Sequence, residues 1–318
     1  MRTVVLWLVV GFISAGRVAA QGEVTYPYPV QYLSLTIESQ PVQMAYMDVK
    51  PAQPNGQTAL LLHGKNFNGF YWANVIRWLS DRGYRVVVPD QVGWGKSSHP
   101  NIHYSFPLLA DNTRQLLDKL KIDRVVVLAH SMGGMLGTRF TLMFPDRVSR
   151  LVLENPIGLE DYKTFVLYQS IDAQYKKEVK ATYESYKQYQ KTYYPDWKPE
   201  YEALVKAQAS DLDKPNFEEI AWANALTYQM IYEQPVVYEF DRIRVPTLLI
   251  IGQEDRTVVG KALLPKDQQA KYGQYPELGK QTARRIKDSK LVELPGVGHI
   301  PHSQTPALYF KALNEFLP

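Results

Sequence analysis

Six continuous apolar runs of strand length most constrain the fold of this 318-residue chain: TALLLHG (58–64), YRVVVPD (84–90), RVVVLAH (124–130), RLVLENP (150–156), VPTLLIIG (245–252) and SKLVELPG (289–296). A strand with one wet face alternates apolar and polar residues. A run that is apolar throughout must be covered on both faces, as in a parallel sheet with helices on either side. Stretches with helical spacing lie between the runs: YWANVIRWLSDRG (71–83), which closes on a glycine suited to a C-cap; FPLLADNTRQLLDKLKI (106–122), with Leu109, Leu116, Leu117 and Leu120 spaced along one face; MGGMLGTRFTLMFPDR, starting at Met132; and TPALYFKALNEFL (305–317). The alternation predicts an α/β doubly wound sheet, in which ligands sit beyond the carboxyl ends of the strands. Ahead of it, QYLSLTIES (31–39) and PVQMAYMDVK (41–50) alternate apolar and polar residues, which predicts half-buried antiparallel strands.

Two segments interrupt the pattern. Residues 157–240 carry no strong strand signal, read as helical and hold 12 of the 22 tyrosines. Residues 256–285 form a second insertion between strands. Residues 21–30, with Pro27 and Pro29, read as a mobile linker. Residues 1–20 have Arg2, an apolar run from Val4 to about Ala15, and small residues before Gln21. That is the layout of a secretory signal peptide cut after Ala20, with an apolar run too short to span a bilayer. The expected location is periplasmic or secreted, with no stable membrane insertion after cleavage. The chain has no cysteine, so disulfides, thiolate metal sites and acylated-cysteine anchors are excluded. A core must hold it together, which is readily achieved at this length. The net charge of +4 comes without a Lys/Arg block, so no nucleic-acid partner is expected. The expected partner is a small-molecule substrate. No feature fixes the oligomeric state.

The candidate chemistry starts at VVVLAHSMGGMLG (125–137). Ser131 stands between a strand and a helix, with small residues two positions away on each side, Ala129 and Gly133. A sharp strand-to-helix turn needs such neighbours, because larger side chains clash there. The helix that follows aims free N–H groups and positive dipole toward the serine. On its own the motif suits a plain turn serine equally well, so the rest of the chain has to decide. In LLIIGQEDRTV, Asp255 follows a buried strand and is the chosen acid, with Glu254 and Glu154 as competitors. In LPGVGHIPHSQTP, His299 follows the last strand and is the chosen base, with His302 as its competitor. The order Ser131, Asp255, His299, each after its own strand, suits a nucleophile, an orienting carboxylate and a general base. An oxyanion hole needs two N–H donors. The candidates are the N–H groups of Met132 and Lys65, with Asn66 as the fallback for the second. His63 is expected to brace its loop, Asp90 in PDQVGWGKSS to anchor a glycine-rich turn, and His130 to have no part as base.

These residues carry a resemblance. HG at 63–64, DQVGWGKS at 90–97, AHSMGG at 129–134, GQED at 252–255 and GVGHIPH at 296–302 make the chain from about residue 30 onward resemble the α/β-hydrolase superfamily. The resemblance implies a mostly parallel eight-stranded sheet with helices on both faces and a helical cap after the sixth strand. The core is then 31–156 and 241–318, and the cap 157–240. Ala129 replaces the commoner glycine, the insertion at 256–285 is longer than usual, and the family's proline after the acid is missing. Dehalogenases and epoxide hydrolases of this superfamily carry an aspartate where this chain has Ser131, which argues against both. The resemblance therefore implies a cofactor-free and metal-free serine hydrolase, and residues 1–20 add the expectation that it is exported. Its expected substrate is a carboxylic ester or lactone of small to medium size, cleaved through an acyl-enzyme. The alternatives are carbon–carbon bond hydrolysis or perhydrolase chemistry on the same three residues, and a non-catalytic ligand-binding protein. Tyr183, Tyr186, Tyr189 and Tyr193 have near-helical spacing. Most are expected to pack a cap helix on its neighbour, with an aromatic wall over the site as the alternative.

Overall fold

The computed structural model describes residues 24–317, so the proposed signal peptide lies outside the described residues. The strands are β1 (Val30–Ile37), β2 (Gln40–Val49), β3 (Thr58–Leu62), β4 (Arg85–Pro89), β5 (Val125–His130), β6 (Val148–Glu154), β7 (Thr247–Gly252) and β8 (Ser289–Leu294). They form one eight-stranded sheet in the order β1-β2-β4-β3-β5-β6-β7-β8. β1 pairs antiparallel with β2, and β2 with β4; every later pairing is parallel. The β1–β2 hairpin turns through Glu38 and Ser39, both at positive φ, as the twist of a two-residue hairpin loop demands.

The helices are α1 (Ala73–Ser80), α2 (Phe106–Lys119), α3 (Met132–Met143), α4 (Ile171–Glu178), α5 (Tyr183–Lys191), α6 (Glu202–Ala209), α7 (Phe217–Glu233), α8 (Tyr275–Arg285), α9 (Pro301–Gln304) and α10 (Pro306–Asn314). The apolar runs are continuous because successive side chains enter opposite cores. Leu60, Val127, Leu151 and Leu249 pack with α2, α3 and α8 on one face. Leu61, Val126, Val152 and Leu248 pack with α1 and α10 on the other. β3 lies between β4 and β5, so the chain leaves it first to one side and then to the other. The crevice at the carboxyl ends of β3 and β5 is therefore a topological switch point, where ligands bind in such sheets.

Residues 157–240 hold α4 to α7, with no strand among the described residues there. Two expectations need correction. Residues 24–30 do not hang free. The Tyr26 hydroxyl donates to Asp90 at 2.5 Å, and Val30 already begins β1. The insertion expected over 256–285 is shorter than the sequence implies, because its last eleven residues are α8, the ordinary crossover helix between β7 and β8. Its apolar residues are sparse, and only Tyr275, Gly279 and Thr282 are buried, which is why the segment did not read as a core helix. Among the described residues, no helix is long and apolar enough to cross a membrane.

Candidate active site

Ser131 adopts φ 56° and ψ −120°, a conformation that costs a non-glycine residue energy. Its own backbone bonds hold it there. Ser131 N–H donates to the Glu154 carbonyl at 3.2 Å, and its carbonyl accepts from Gly134 at 2.8 Å and Ile157 at 3.1 Å. The small neighbours are required by contact. A Cβ on Gly133 would lie 2.2 Å from the Leu62 carbonyl oxygen, and one on Gly137 would lie 2.9 Å from the Ala129 methyl.

Three side chains from the ends of β5, β7 and β8 meet in one line. His299 Nε2 lies 2.9 Å from Ser131 Oγ, and His299 Nδ1 lies 2.7 Å from Asp255 Oδ2. All three are buried. A carboxylate only accepts, so Nδ1 carries the proton and Nε2 accepts from the serine hydroxyl. Burial works to raise the Asp255 carboxyl, but the adjoining His299 imidazole and the Thr257 donors outweigh it and hold the group below its ordinary value. Thr257 N–H donates to Oδ1 at 2.8 Å, and Asn155 Nδ2 to Oδ2 at 2.7 Å.

The competing residues are engaged elsewhere. Glu254 is exposed. Glu154 and His302 pair with each other, with Nδ1 at 2.9 and 3.0 Å from the two carboxylate oxygens, and the His302 ring stacks on Trp72. His63 braces its loop. Gln91 N–H donates to Nε2 at 3.0 Å, so Nδ1–H donates to the Gly64 carbonyl at 2.9 Å, and burial lowers the imidazole pKa. Asp90 accepts from Gly69 N–H at 2.7 Å and Lys96 N–H at 2.8 Å, and a Cβ on Gly95 would lie 2.3 Å from its carboxylate. The expected glycine-rich anchor is thus a carboxylate wrapped by backbone.

Of the expected oxyanion donors, Met132 is the first residue of α3, so its N–H has no intrahelical acceptor. Lys65 and Asn66 follow Gly64, whose Cβ position is 3.1 Å from the Ser131 Cβ. Phe67 N–H closes the turn on the Gly64 carbonyl at 3.1 Å, and among the described residues no acceptor takes the N–H of Lys65 or Asn66. These groups border the serine from two sides.

Several site residues were not singled out by sequence reasoning. Asn155, at φ 36°, donates to the Gly298 carbonyl at 2.9 Å as well as to Asp255, and its Oδ1 accepts from Gly252 N–H at 2.7 Å. One side chain therefore ties the β7 end, Asp255 and the His299 loop together. Its only sequence cue is a polar residue at the end of an apolar run. His130, set aside as a base, has a positioning role. Its Nε2–H donates to the His299 carbonyl at 2.8 Å, while Nδ1 accepts from the Tyr71 hydroxyl at 3.0 Å, which in turn accepts from Gly64 N–H at 3.0 Å. Burial, with His299 and His302 close by, pushes the His130 imidazole well below its ordinary pKa, so it stays neutral. The tyrosines divide. Tyr183 bonds Glu202 within the helical segment, whereas Tyr193 stacks on His299 at 4.6 Å and meets Tyr189 edge-on at 5.4 Å. Both the packing and the aromatic-wall readings therefore describe part of the set.

The comparisons agree with this fold. A probable hydrolytic enzyme from Pseudomonas aeruginosa PAO1, known from its crystal structure, is 48% identical and superposes with a TM-score of 0.91 over 92% of this chain and 96% of its own. A haloalkane dehalogenase of Mycolicibacterium paratuberculosis is 32% identical over 41% of this chain and 44% of its own. A 2-hydroxy-6-oxo-2,4-heptadienoate hydrolase of Pseudomonas putida is 38% identical over 37% and 42%. This chain thus aligns with less than half the length of these two curated relatives. The family described as the alpha/beta hydrolase fold matches residues 59–306, a span that contains the serine turn, the carboxylate and the histidine. With the eight-stranded sheet, the strained serine and this match in agreement, the chain belongs to the alpha/beta hydrolase fold family.

Proposed function

We propose that this protein is a serine hydrolase acting on a carboxylic ester or lactone of small to medium size. The observation that carries the reading is the buried line from Ser131 Oγ through His299 to Asp255, with the serine held at positive φ. His299 Nε2 takes the hydroxyl proton as Oγ attacks the carbonyl carbon. Asp255 steadies the imidazolium, and the N–H groups of Met132 and Lys65 receive the oxyanion. The imidazolium then protonates the leaving alcohol. Water, activated by the same histidine, hydrolyses the acyl-enzyme and restores Ser131. Carbon–carbon bond hydrolysis is the second reading, favoured by the identity with the Pseudomonas putida relative. Residues 1–20 support export by signal cleavage after Ala20, to the periplasm or beyond. The mass of the mature protein tests this, and a chain retaining Met1 refutes it.

The enzymatic test compares wild type with Ser131→Ala on short-chain p-nitrophenyl esters and a fluorophosphonate probe. Turnover and a single adduct on Ser131, both absent from the variant, are expected. Failure of the probe to label Ser131 in wild type overturns the reading. Labelling without turnover of any ester moves the balance to the carbon–carbon reading.

A further inference from the structure

The loop that follows β3 does more than border Ser131. Its residues Lys65 and Asn66 line a cavity of about 40 Å³. The helical segment 157–240 contributes Glu178 at the end of α4, Tyr186 on α5, and Gln208 and Asp211 around the end of α6. The space is large enough for a few waters and is bounded mostly by polar residues. Two of its lining residues belong to the loop beside the nucleophile: Gly64, next to Lys65, is in contact range of Ser131, and Asn66 Nδ2 bonds the hydroxyl of Tyr193, the residue stacked on His299.

The charges around this cavity are unevenly paired. Asp211 is bound by Lys214 at 2.6 Å. His99 is held neutral, its pKa pushed down to about 4 by burial and by Lys214. Lys65 makes no ion pair or side-chain hydrogen bond among the described residues; burial lowers its pKa, Glu178 attracts it and Lys177 repels it, both from beyond ion-pair distance. Lys65 is half-buried, lines a polar cavity and, among the described residues, has no carboxylate within ion-pair distance, so it is open to a charge-assisted contact with an anion.

We propose that the Lys65 ammonium recognises a carboxylate carried by the substrate, so that the preferred ester is an anionic one. The inference rests on the hydrolase reading above and names its substrate class. Glu178 then acts in opposition, repelling the same carboxylate and limiting the preference.

Two ester pairs test this: mono-p-nitrophenyl adipate against p-nitrophenyl hexanoate, which places the charge on the acyl part, and 4-(butanoyloxy)benzoate against phenyl butyrate, which places it on the leaving group. The readout is the anionic-to-neutral ratio of kcat/KM within each pair. Lys65→Met is expected to lower at least one ratio by ~10-fold or more, the loss typical of a charge-assisted contact, and Glu178→Gln to raise the same ratio. A change that only disturbed the loop backbone would slow both members of a pair alike and leave the ratio fixed. Ratios that stay within about twofold in Lys65→Met, with turnover retained, overturn this inference and leave the hydrolase reading standing. No turnover of any of the four by wild type, with Ser131 unlabelled, overturns both.

Discussion

Tyr193 holds His299 by two separate contacts. Its ring stacks on the imidazole with centroids 4.6 Å apart, and its carbonyl accepts the His299 N–H at 2.7 Å. Gly298 permits this approach, because a Cβ there would lie 2.1 Å from the same carbonyl oxygen. The helical segment between β6 and β7 therefore bears directly on the proposed base.

Replacing Tyr193 separates these contributions. Tyr193→Phe keeps the stack and the carbonyl and loses only the hydroxyl's bonds with Asn66 and Tyr189, so kcat is expected to fall less than about threefold. Tyr193→Ala removes the ring and is expected to lower kcat by ~3–10-fold, the worth of one aromatic contact. Steady-state kinetics on one ester checks both. Equal losses in the two variants would place the effect in the hydroxyl.

Asp255→Asn leaves the shape of the site intact but lets the neutral amide favour the wrong imidazole tautomer. A fall in kcat on the order of 10⁴-fold is expected. The stability effect has a definite sign. The folded carboxyl titrates below its ordinary value of about 3.9. Its contribution is thus present above that value and lost as pH falls through the folded pKa. Chemical denaturation of wild type and variant between pH 7 and pH 3 is expected to show the gap narrowing only at the acid end.

His130 predicts a second pH dependence, nearer neutrality. Its folded pKa lies well below its unfolded value of about 6.5, so the unfolded chain binds a proton that the native one refuses. Stability is therefore full above that value and falls as pH drops below it, by up to about 1.4 kcal/mol per pH unit for this one group. His130→Gln is expected to be less stable at pH 7.5 and to lose less between pH 7.5 and pH 5 than wild type. Denaturation midpoints at the two pH values decide the point.

His302 and Glu154 distinguish structural pairing from chemistry. His302→Gln is expected to retain fluorophosphonate labelling of Ser131, whereas His299→Gln abolishes it. Glu154→Ala leaves a buried imidazole without its carboxylate and is expected to destabilise the fold by about 3–5 kcal/mol. Mass spectrometry after labelling and thermal unfolding supply the two readouts. Loss of labelling in His302→Gln at full stability would reverse the roles of the two histidines.

The sequence by itself determined the sheet and the order of its candidate site residues. Continuous apolar runs admit only strands covered on both faces, and a serine, a carboxylate and a histidine standing after three of those runs can only emerge at one edge of a parallel sheet. Ser131, Asp255 and His299 were legible for that reason, as were the small residues at Ala129 and Gly133. Tertiary structure alone decided what holds them. Asn155 bridges β7, Asp255 and Gly298; His130 joins the His299 loop to Tyr71 and Gly64; Tyr193 reaches the base from a helical segment 106 positions earlier in the chain. Such contacts join residues with no shared periodicity, and a polar or aromatic side chain looks the same in sequence whether it faces water or the loop of the candidate base. The pairing of Glu154 with His302 was undecided for the same reason: strand order brings both carboxylates and both histidines to one edge, and only side-chain packing settles which acid meets which base.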